Sequence, residues 1–374
     1  MILLTTVTPP NWASLICTSL NRLRISSRMA VHRRPSEAQG AAVDFQTVPE
    51  LQQFVIRNVG PTGRELGRGS YGTVKEVEIP GATCAAKVIH ETLLQFGSED
   101  EVRNITEKFV RECCLMSSLR HPHVVQFLGV CFLPGSRLPA LVMEKLLVSL
   151  HELLETNPNI PLATKRSILH NVARGLLYIH SRNPPIIHRD LTAKNVLLNS
   201  AMVAKLADLG VARIVESRPG QMAAQLTQAP GTAVYMPPEA LEPAGTYDTK
   251  LDIFSFGNVA LFTLTQAFPA QLKYPIYIDP TTRRRIARSE VERRSDYIQQ
   301  MHEHKALGRQ HILVRIVEQC LQDLPEDRPS IEEVIQQLEK ARTQIPSQYG
   351  EMTRLELEQE IQSLQVSIIN CFCM

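Results

Sequence analysis

No stretch of this chain is both long and apolar. The nearest runs, Leu138 to Met143 and Val366 to Met374, are broken by Pro139 and by Ser367 and Asn370. Both fall far short of the roughly 18 residues that a bilayer-spanning helix needs, so a soluble chain is expected. Paired cysteine motifs are missing too. The eight cysteines (17, 84, 113, 114, 131, 320, 371 and 373) include no Cys-x-x-Cys spacing. That argues against a zinc site or a disulfide framework and makes a reducing, cytoplasmic compartment the default. Net charge is nearly absent as well: 40 Lys and Arg against 38 Asp and Glu leave +2, which gives no reason to expect nucleic acid as a partner. What the 374 residues do have is a globular composition, 44% hydrophobic and 21% charged, and enough length for a sizeable core.

Acidic residues are missing from residues 1–36, which carry five Arg (22, 24, 28, 33 and 34) among many Ser and Thr. A mitochondrial transit peptide has that composition. A disordered tail, or an extension upstream of an internal start at Met29, is the plainer reading, and residues 1–49 are expected to lie outside the folded part. From about Glu50 the pattern turns globular. Strands are expected at Arg64–Leu66, over Val74–Ile79 and at Cys84–Ile89, then a helix over 101–120 with Val102, Ile105, Phe109, Cys113 and Met116 at helical spacing. Strands follow at Val124–Phe132 and Leu138–Met143. Beyond Glu144 the chain reads as helical, at Leu162–His180, Thr249–Leu264 and Ile312–Leu321. The arginine-rich segment 281–294 reads as a solvated helix face, with docking of an acidic substrate as the alternative. Leu357, Ile361, Leu364 and Ile368 give a C-terminal tail (343–374) a helical stripe of only two heptads. That is too few to specify a coiled coil, so packing on the same chain is favoured over dimerisation.

Gly67, Gly69 and Gly72 form G-x-G-x-x-G, a spacing shared with dinucleotide-binding folds. A dinucleotide site needs a helix after the third glycine, whereas Thr73–Ile79 is β-branched and strand-like. The glycines should therefore sit at a hairpin tip, where backbone N–H groups can approach phosphate oxygens. An oxidoreductase reading fails on the same residues. Lys87 follows in Ala85-Ala86-Lys87-Val88, an apolar setting that is costly for a cation unless it meets anions. Nucleotide phosphates and Glu112, on the expected helix, are the candidate partners. Further on stand His188-Arg189-Asp190-Leu191-Thr192-Ala193-Lys194-Asn195 and Asp208-Leu209-Gly210.

With these motifs, and with Pro237-Pro238-Glu239, Asp252 and Arg328 following in order, the chain resembles the eukaryotic protein kinases, in particular the tyrosine-kinase-like group, from about Gly60 to Arg342. The resemblance implies an α+β, bilobal fold: a small β-rich lobe with one helix (60–143), a hinge (144–147) and a larger α-helical lobe (148–342). It implies ATP and Mg²⁺ as cofactors and protein hydroxyls as acceptors, with Lys87 on the α and β phosphates and paired to Glu112. Asp190 would orient the acceptor hydroxyl and take its proton, Asn195 and Asp208 would bind Mg²⁺, and Lys194 could touch the γ-phosphate. Leu66, Val74, Ala85 and Leu198 would sandwich the adenine. Met143 would guard the back of that pocket, and Glu144 to Leu146 would supply hinge backbone hydrogen bonds. Asp252 would support the catalytic loop, and Glu239 with Arg328 would anchor the activation segment as a buried ion pair.

An upstream activating kinase is the implied regulatory partner. Arg189 is the expected receptor for a phosphorylated activation segment, Thr227 the expected regulated site, Thr232 a substrate-positioning residue and Tyr235 a packing residue. Substrate preference reads two ways. Thr192 stands where many Ser/Thr kinases have Lys, and Lys194 where many tyrosine kinases have Arg, which leans toward tyrosine. Gly231 to Glu239 resembles Ser/Thr and tyrosine-kinase-like enzymes, and Ser/Thr is favoured. A pseudokinase scaffold is the alternative of another class, weakened because Lys87, Asp190, Asn195 and Asp208 are all present. Cys371-Phe372-Cys373-Met374 fits the loose farnesylation form, although an ordinary tail is the plainer reading because a single lipid chain anchors weakly.

Overall fold

The computed structural model describes residues 49–68, 72–89, 99–134, 136, 138–210, 212–214, 235–241, 248–266, 277–278, 285–286 and 311–344. The expectations for residues 1–36, Gly69, Thr227, Thr232, the stripe from Leu357 to Ile368 and the C-terminal cysteines lie outside these residues. Two compact units result, divided at Arg120/His121, Val125/Gln126, Lys145/Leu146, Asp208/Leu209 and Val211/Ala212.

In the first unit a short helix α1 (Pro49–Gln52) precedes β1 (Gly60–Arg68), β2 (Gly72–Ile79) and β3 (Ala82–Ile89). Helix α2 (Glu99–Ser117), β4 (Phe127–Phe132) and β5 (Pro139–Glu144) follow. The five strands make one sheet in the order β1-β2-β3-β5-β4, every pair antiparallel. Period-two alternation gives each face its own residues. Val77, Cys84, Ala86, Cys131, Ala140 and Val142 form a core cluster on one face, joined by Ile56, Val59, Ile79 and Val88. The pairs Val74–Lys87, Lys87–Leu141 and Ala85–Met143 put Lys87 on the opposite face.

In the second unit β6 (Val148–Ser149) leads into α3 (Leu150–Thr156), followed by α4 (Leu162–His180), β7 (Ile186–Ile187), β8 (Val196–Leu198), β9 (Ala204–Leu206) and β10 (Arg213–Ile214). After a 3₁₀ turn at Pro238–Leu241 come α5 (Lys250–Thr265), β11 (Tyr277–Ile278), β12 (Arg285–Ile286), α6 (Ile312–Cys320) and α7 (Ile331–Gln344). A capping box starts α3: Ser149 accepts from the Glu152 N–H and Glu152 accepts from the Ser149 N–H. Helix α5 is buried from Leu251 to Leu264, as befits a helix with apolar residues all round. Its buried hydroxyls are satisfied locally: Ser255 donates to Tyr235 O (2.9 Å) and Thr263 to Val259 O (2.7 Å). The architecture is α+β, a sheet with one long helix in one unit and a larger helical unit beside it in sequence.

Three expectations are corrected. The strand expected from Val124 begins at Phe127, because residues 121–125 belong to the second unit, where Val125 donates to Leu206 O at 2.8 Å. Residues 50–59, read as globular but left outside the 60–342 domain, are packed into the first unit, with Leu51 fully buried. Arg285 and Ile286 pair with Tyr277 and Ile278 as strands, where a helix face was expected; the rest of 281–294 lies outside the described residues.

Lys165 on α4 is buried. It donates to Leu264 O (3.3 Å) and Gln266 Oε1 (3.0 Å), capping the C-terminal end of α5. Burial pushes its pKa from an ordinary 10.5 down to about 8. Between those values the unfolded chain holds a proton that the folded chain has released, so this group's contribution to stability rises with pH across that window. Lys165→Met removes the buried charge. Its stability advantage over wild type is expected to shrink by up to about 3 kcal/mol from pH 7 to pH 10.5 in urea unfolding. A difference that stays constant with pH would show that Lys165 is not desolvated.

Candidate active site

The first unit supplies one polar centre. Lys87 Nζ donates to Glu112 Oε1 (2.9 Å) and Oε2 (3.2 Å). The Glu112 side chain is 8% exposed and that of Lys87 25%. Glu112 lies on α2 one turn from Phe109 and from Met116, both buried, so the helical stripe that packs on the sheet delivers the carboxylate to the Lys87 face. The pair inferred from the resemblance is therefore formed. On the same face, Ala85 is buried and Val74 and Met143 are half-buried.

The second unit supplies the other. The loop from His188 to Asn195 runs from β7 to β8, and Asp208 follows β9 by two residues. Arg189 (φ 67°) and Asp208 (φ 56°) are in the left-handed region, which costs of order 1 kcal/mol for a residue with a Cβ. The Arg189 conformation is held by Asp252 of α5, fully buried, whose carboxylate accepts from the N–H groups of His188 (2.8 Å) and Arg189 (2.9 Å) and from His180 Nε2 (2.8 Å). His188, also fully buried, donates from Nε2 to Ala207 O (3.0 Å), and its Nδ1 accepts the Asp190 N–H at 3.4 Å. That network fixes the tautomer and ties the loop to the residue before Asp208. Asn195 completes the link: Nδ2 donates to Asp190 O (2.8 Å) and Oδ2 (2.9 Å), while its carbonyl accepts the Ala207 N–H (2.8 Å). Asp190, Asn195 and Asp208 are thus brought onto one hydrogen-bonded frame.

Arg328, almost fully buried, donates to Glu239 Oε1 (2.5 Å) and Oε2 (2.9 Å), to Gln322 O (2.7 Å), Asp323 O (2.8 Å) and Lys250 O (3.1 Å), and lies over the Phe254 ring. The expected ion pair is formed, and its remaining donors are all used, which is what makes a buried guanidinium tolerable. Tyr235 packs edge-on against Phe262 (5.5 Å), and burial pushes its phenol up to about 12. It is a packing residue and stays neutral.

Other residues inferred from the resemblance divide as follows. Gly67 and Gly72 lie in paired strands, the hairpin expected of them. Leu66 sits at a bulge between the Glu65–Lys75 and Gly67–Val74 pairs. Leu198, fully buried, belongs to the second unit, where its carbonyl accepts the Leu147 N–H. Lys194 is exposed; burial first, then the Glu155, Lys194 and Glu152 charges, set a net lowering at His151. At the hinge, the structure shows what the first residue already bonds to. The Glu144 N–H donates to Gln126 O (3.0 Å), and its carboxylate accepts the Gln126 N–H (2.8 Å), so that amide is committed within the first unit. Sequence reasoning also passed over Lys145, whose Nζ lies 2.5 Å from Glu76 Oε2. Lys145 holds the half-buried Glu76 carboxyl below its ordinary range against the opposing effect of burial. Glu76 pairs with Ala85 across the sheet, and that shared face was the signal available.

Among the described residues no group of three or more His, Cys, Asp and Glu is placed to hold a metal ion. The donors on hand are the exposed Asp208 carboxylate and Asn195 Oδ1, both hard oxygens. They fit Mg²⁺, which takes one or two protein ligands and completes its shell with water and phosphate.

Comparison with known proteins agrees with this arrangement. The family model of the protein kinase domain matches residues 61–338. The chain is 30% identical over 304 residues to the seven transmembrane domain-containing tyrosine-protein kinase 1 of Dictyostelium discoideum, covering 78% of this chain and 40% of that protein. It is 28% identical over 320 residues to the dual specificity protein kinase shkA of the same organism (84% and 55%). To the serine/threonine-protein kinase CTR1 of Arabidopsis thaliana it is 34% identical over 220 residues (56% and 25%). The chain belongs to the protein kinase family. It spans at most 55% of the length of these three relatives.

The two described glycines of the hairpin differ in what they face. A Cβ on Gly72 would strike the Val88 carbonyl oxygen of β3, whereas one on Gly67 would meet nothing within 4 Å. Gly72→Ala is expected to cost about 1–3 kcal/mol, read as a fall in melting temperature, while Gly67→Ala stays within about 0.5 kcal/mol of wild type. Equal losses at both positions would show that the fold itself demands Gly67.

Proposed function

We propose that this chain is a protein kinase of the tyrosine-kinase-like group that transfers the ATP γ-phosphate to Ser or Thr hydroxyls of protein substrates. The observation that carries the reading is the fixed Asp190 carboxylate. It is oriented by Asn195 Nδ2 on a loop that Asp252 and His188 hold in place. Phosphoryl transfer asks the protein for alignment and charge neutralisation more than for covalent help. Asp190 aligns the acceptor hydroxyl and takes its proton, and Lys87, steadied by Glu112, neutralises phosphate charge. Gly67, which no neighbouring atom requires to be glycine, leaves room for backbone to approach phosphate. Asn195 Oδ1 and Asp208 would hold Mg²⁺, which when bound shields the charge on the phosphates.

Named relatives include serine/threonine, dual specificity and tyrosine kinases, so the Ser/Thr preference rests on the Gly231–Glu239 pattern, with Lys194 as the argument for tyrosine. A reducing cytoplasm suits the buried cysteines Cys84, Cys113, Cys131 and Cys320, which are thiols and not disulfides. Burial pushes the Cys84, Cys113, Cys131 and Cys320 thiols up, Cys131 to about 11, so they act as neutral core side chains. No helix among the described residues is long and apolar enough to cross a membrane.

Radiolabel transfer from γ-labelled ATP with Mg²⁺, followed by phosphoamino-acid analysis, tests the proposal. Wild type is expected to label Ser or Thr, and Asp190→Asn to fall at least about 100-fold in rate. Label on Tyr alone would overturn the acceptor assignment. Nucleotide binding without transfer, even after treatment with an upstream kinase, would favour a scaffold.

A further inference from the structure

A sheet edge leaves N–H and C=O groups open, and a protein has to cover or blunt it. β4 is such an edge, and residues 54–56 occupy it. The Ile56 N–H donates to Val130 O (2.7 Å), the Val130 N–H donates to Phe54 O (2.8 Å), and Val55 forms a parallel bridge with Val130. The approach depends on Gly129. A Cβ there would lie 2.5 Å from Phe54 O and 2.6 Å from Ile56 Cγ1, closer than real side chains tolerate.

The segment also engages both faces of the sheet. Ile56 and Val59 pack on the cluster around Val77 and Val142. The Phe54 ring meets Phe127 edge-on at 5.5 Å, and Phe127 pairs with Met143, which places it on the Lys87 face. Leu51, fully buried, belongs to α1, which packs against α2. Helix α2 in turn carries Glu112 to Lys87. One short run ahead of the strands therefore touches the sheet edge, the Lys87 face and the helix whose position decides whether the ion pair forms.

We propose that residues 49–59 are a clamp that holds α2 where Glu112 meets Lys87, with Leu51 and Phe54 as its positioning residues. Seating or releasing this segment then sets the catalytic output of the chain. The structural part stands on geometry alone; the catalytic part rests on the kinase reading above.

The test uses the full chain carrying Leu51→Ser, Phe54→Leu or Gly129→Val, the last wedging the segment off without altering its own residues. Hydrogen exchange is measured along α2 and, for comparison, along α4 and α5. Exchange in α2 is expected to rise at least about tenfold while α4 and α5 keep wild-type rates. The kcat for phosphate transfer is expected to fall about tenfold, and the same substitutions placed on a Glu112→Gln parent to add less than about a twofold loss. Should Leu51→Ser fail to fold, the milder Phe54→Leu gives the same comparison. Wild-type exchange in α2 of the folded variants, or kcat losses that multiply in full on the Glu112→Gln parent, would overturn the clamp. Absence of transfer by wild type would remove the kinase reading and leave the exchange result to decide the clamp.

Discussion

A carboxylate removed from water is tolerable only when its lone pairs are used, and Asp252 uses both oxygens on three donors. Burial pushes its pKa up, but His180, His188 and the loop N–H pull it further down, so the net shift from the ordinary 3.8 is downward. As an acid with a lowered folded pKa it contributes stability above its ordinary value and loses that contribution as the pH falls through the folded one. The arrangement fixes a loop that would otherwise relax. Arg189 is held at positive φ by the same carboxylate, and its neighbour Asp190 is thereby aimed. His188 and Asn195 carry the constraint on to Ala207, and so to the backbone beside Asp208.

The two ion pairs are built differently and serve different ends. Arg328 is enclosed, with every nitrogen given a partner, and knits the 3₁₀ turn at Glu239 to the loop ahead of α7. Lys87 keeps a quarter of its side chain open, a cation that is partnered but still accessible. A buried, saturated pair suits architecture, and a partly open one suits a ligand phosphate.

Elements with strong periodicity were legible in the sequence. Leu162–His180 is a helix over the expected residues because its apolar stripe is unbroken, and the Gly67–Gly72 hairpin followed from β-branched residues where a helix would have been needed. Lys87 and Glu112 were legible only through motif order, since a lone helical Glu gives no signal. Other features depend on pairings between distant residues. Nothing in Pro49 to Val59 announces an edge to cover, because the partner is the backbone of Val130. Glu76 and Lys145 are ordinary surface charges until the sheet register places them on one side. Ser149-x-x-Glu152 was readable as a helix start and was passed over.

The measurement that bears most directly on the central claim, that a buried carboxylate aims Asp190 for phosphate transfer, separates binding from turnover in Asp252→Asn. The neutral amide turns one acceptor oxygen into a donor facing other donors, disturbing the loop while Lys87 and Glu112, in the first unit, are left unchanged. The expected result is a kcat lower by about 100-fold with the dissociation constant for Mg-ATP within about threefold of wild type. An unchanged kcat in a folded variant would contradict the account.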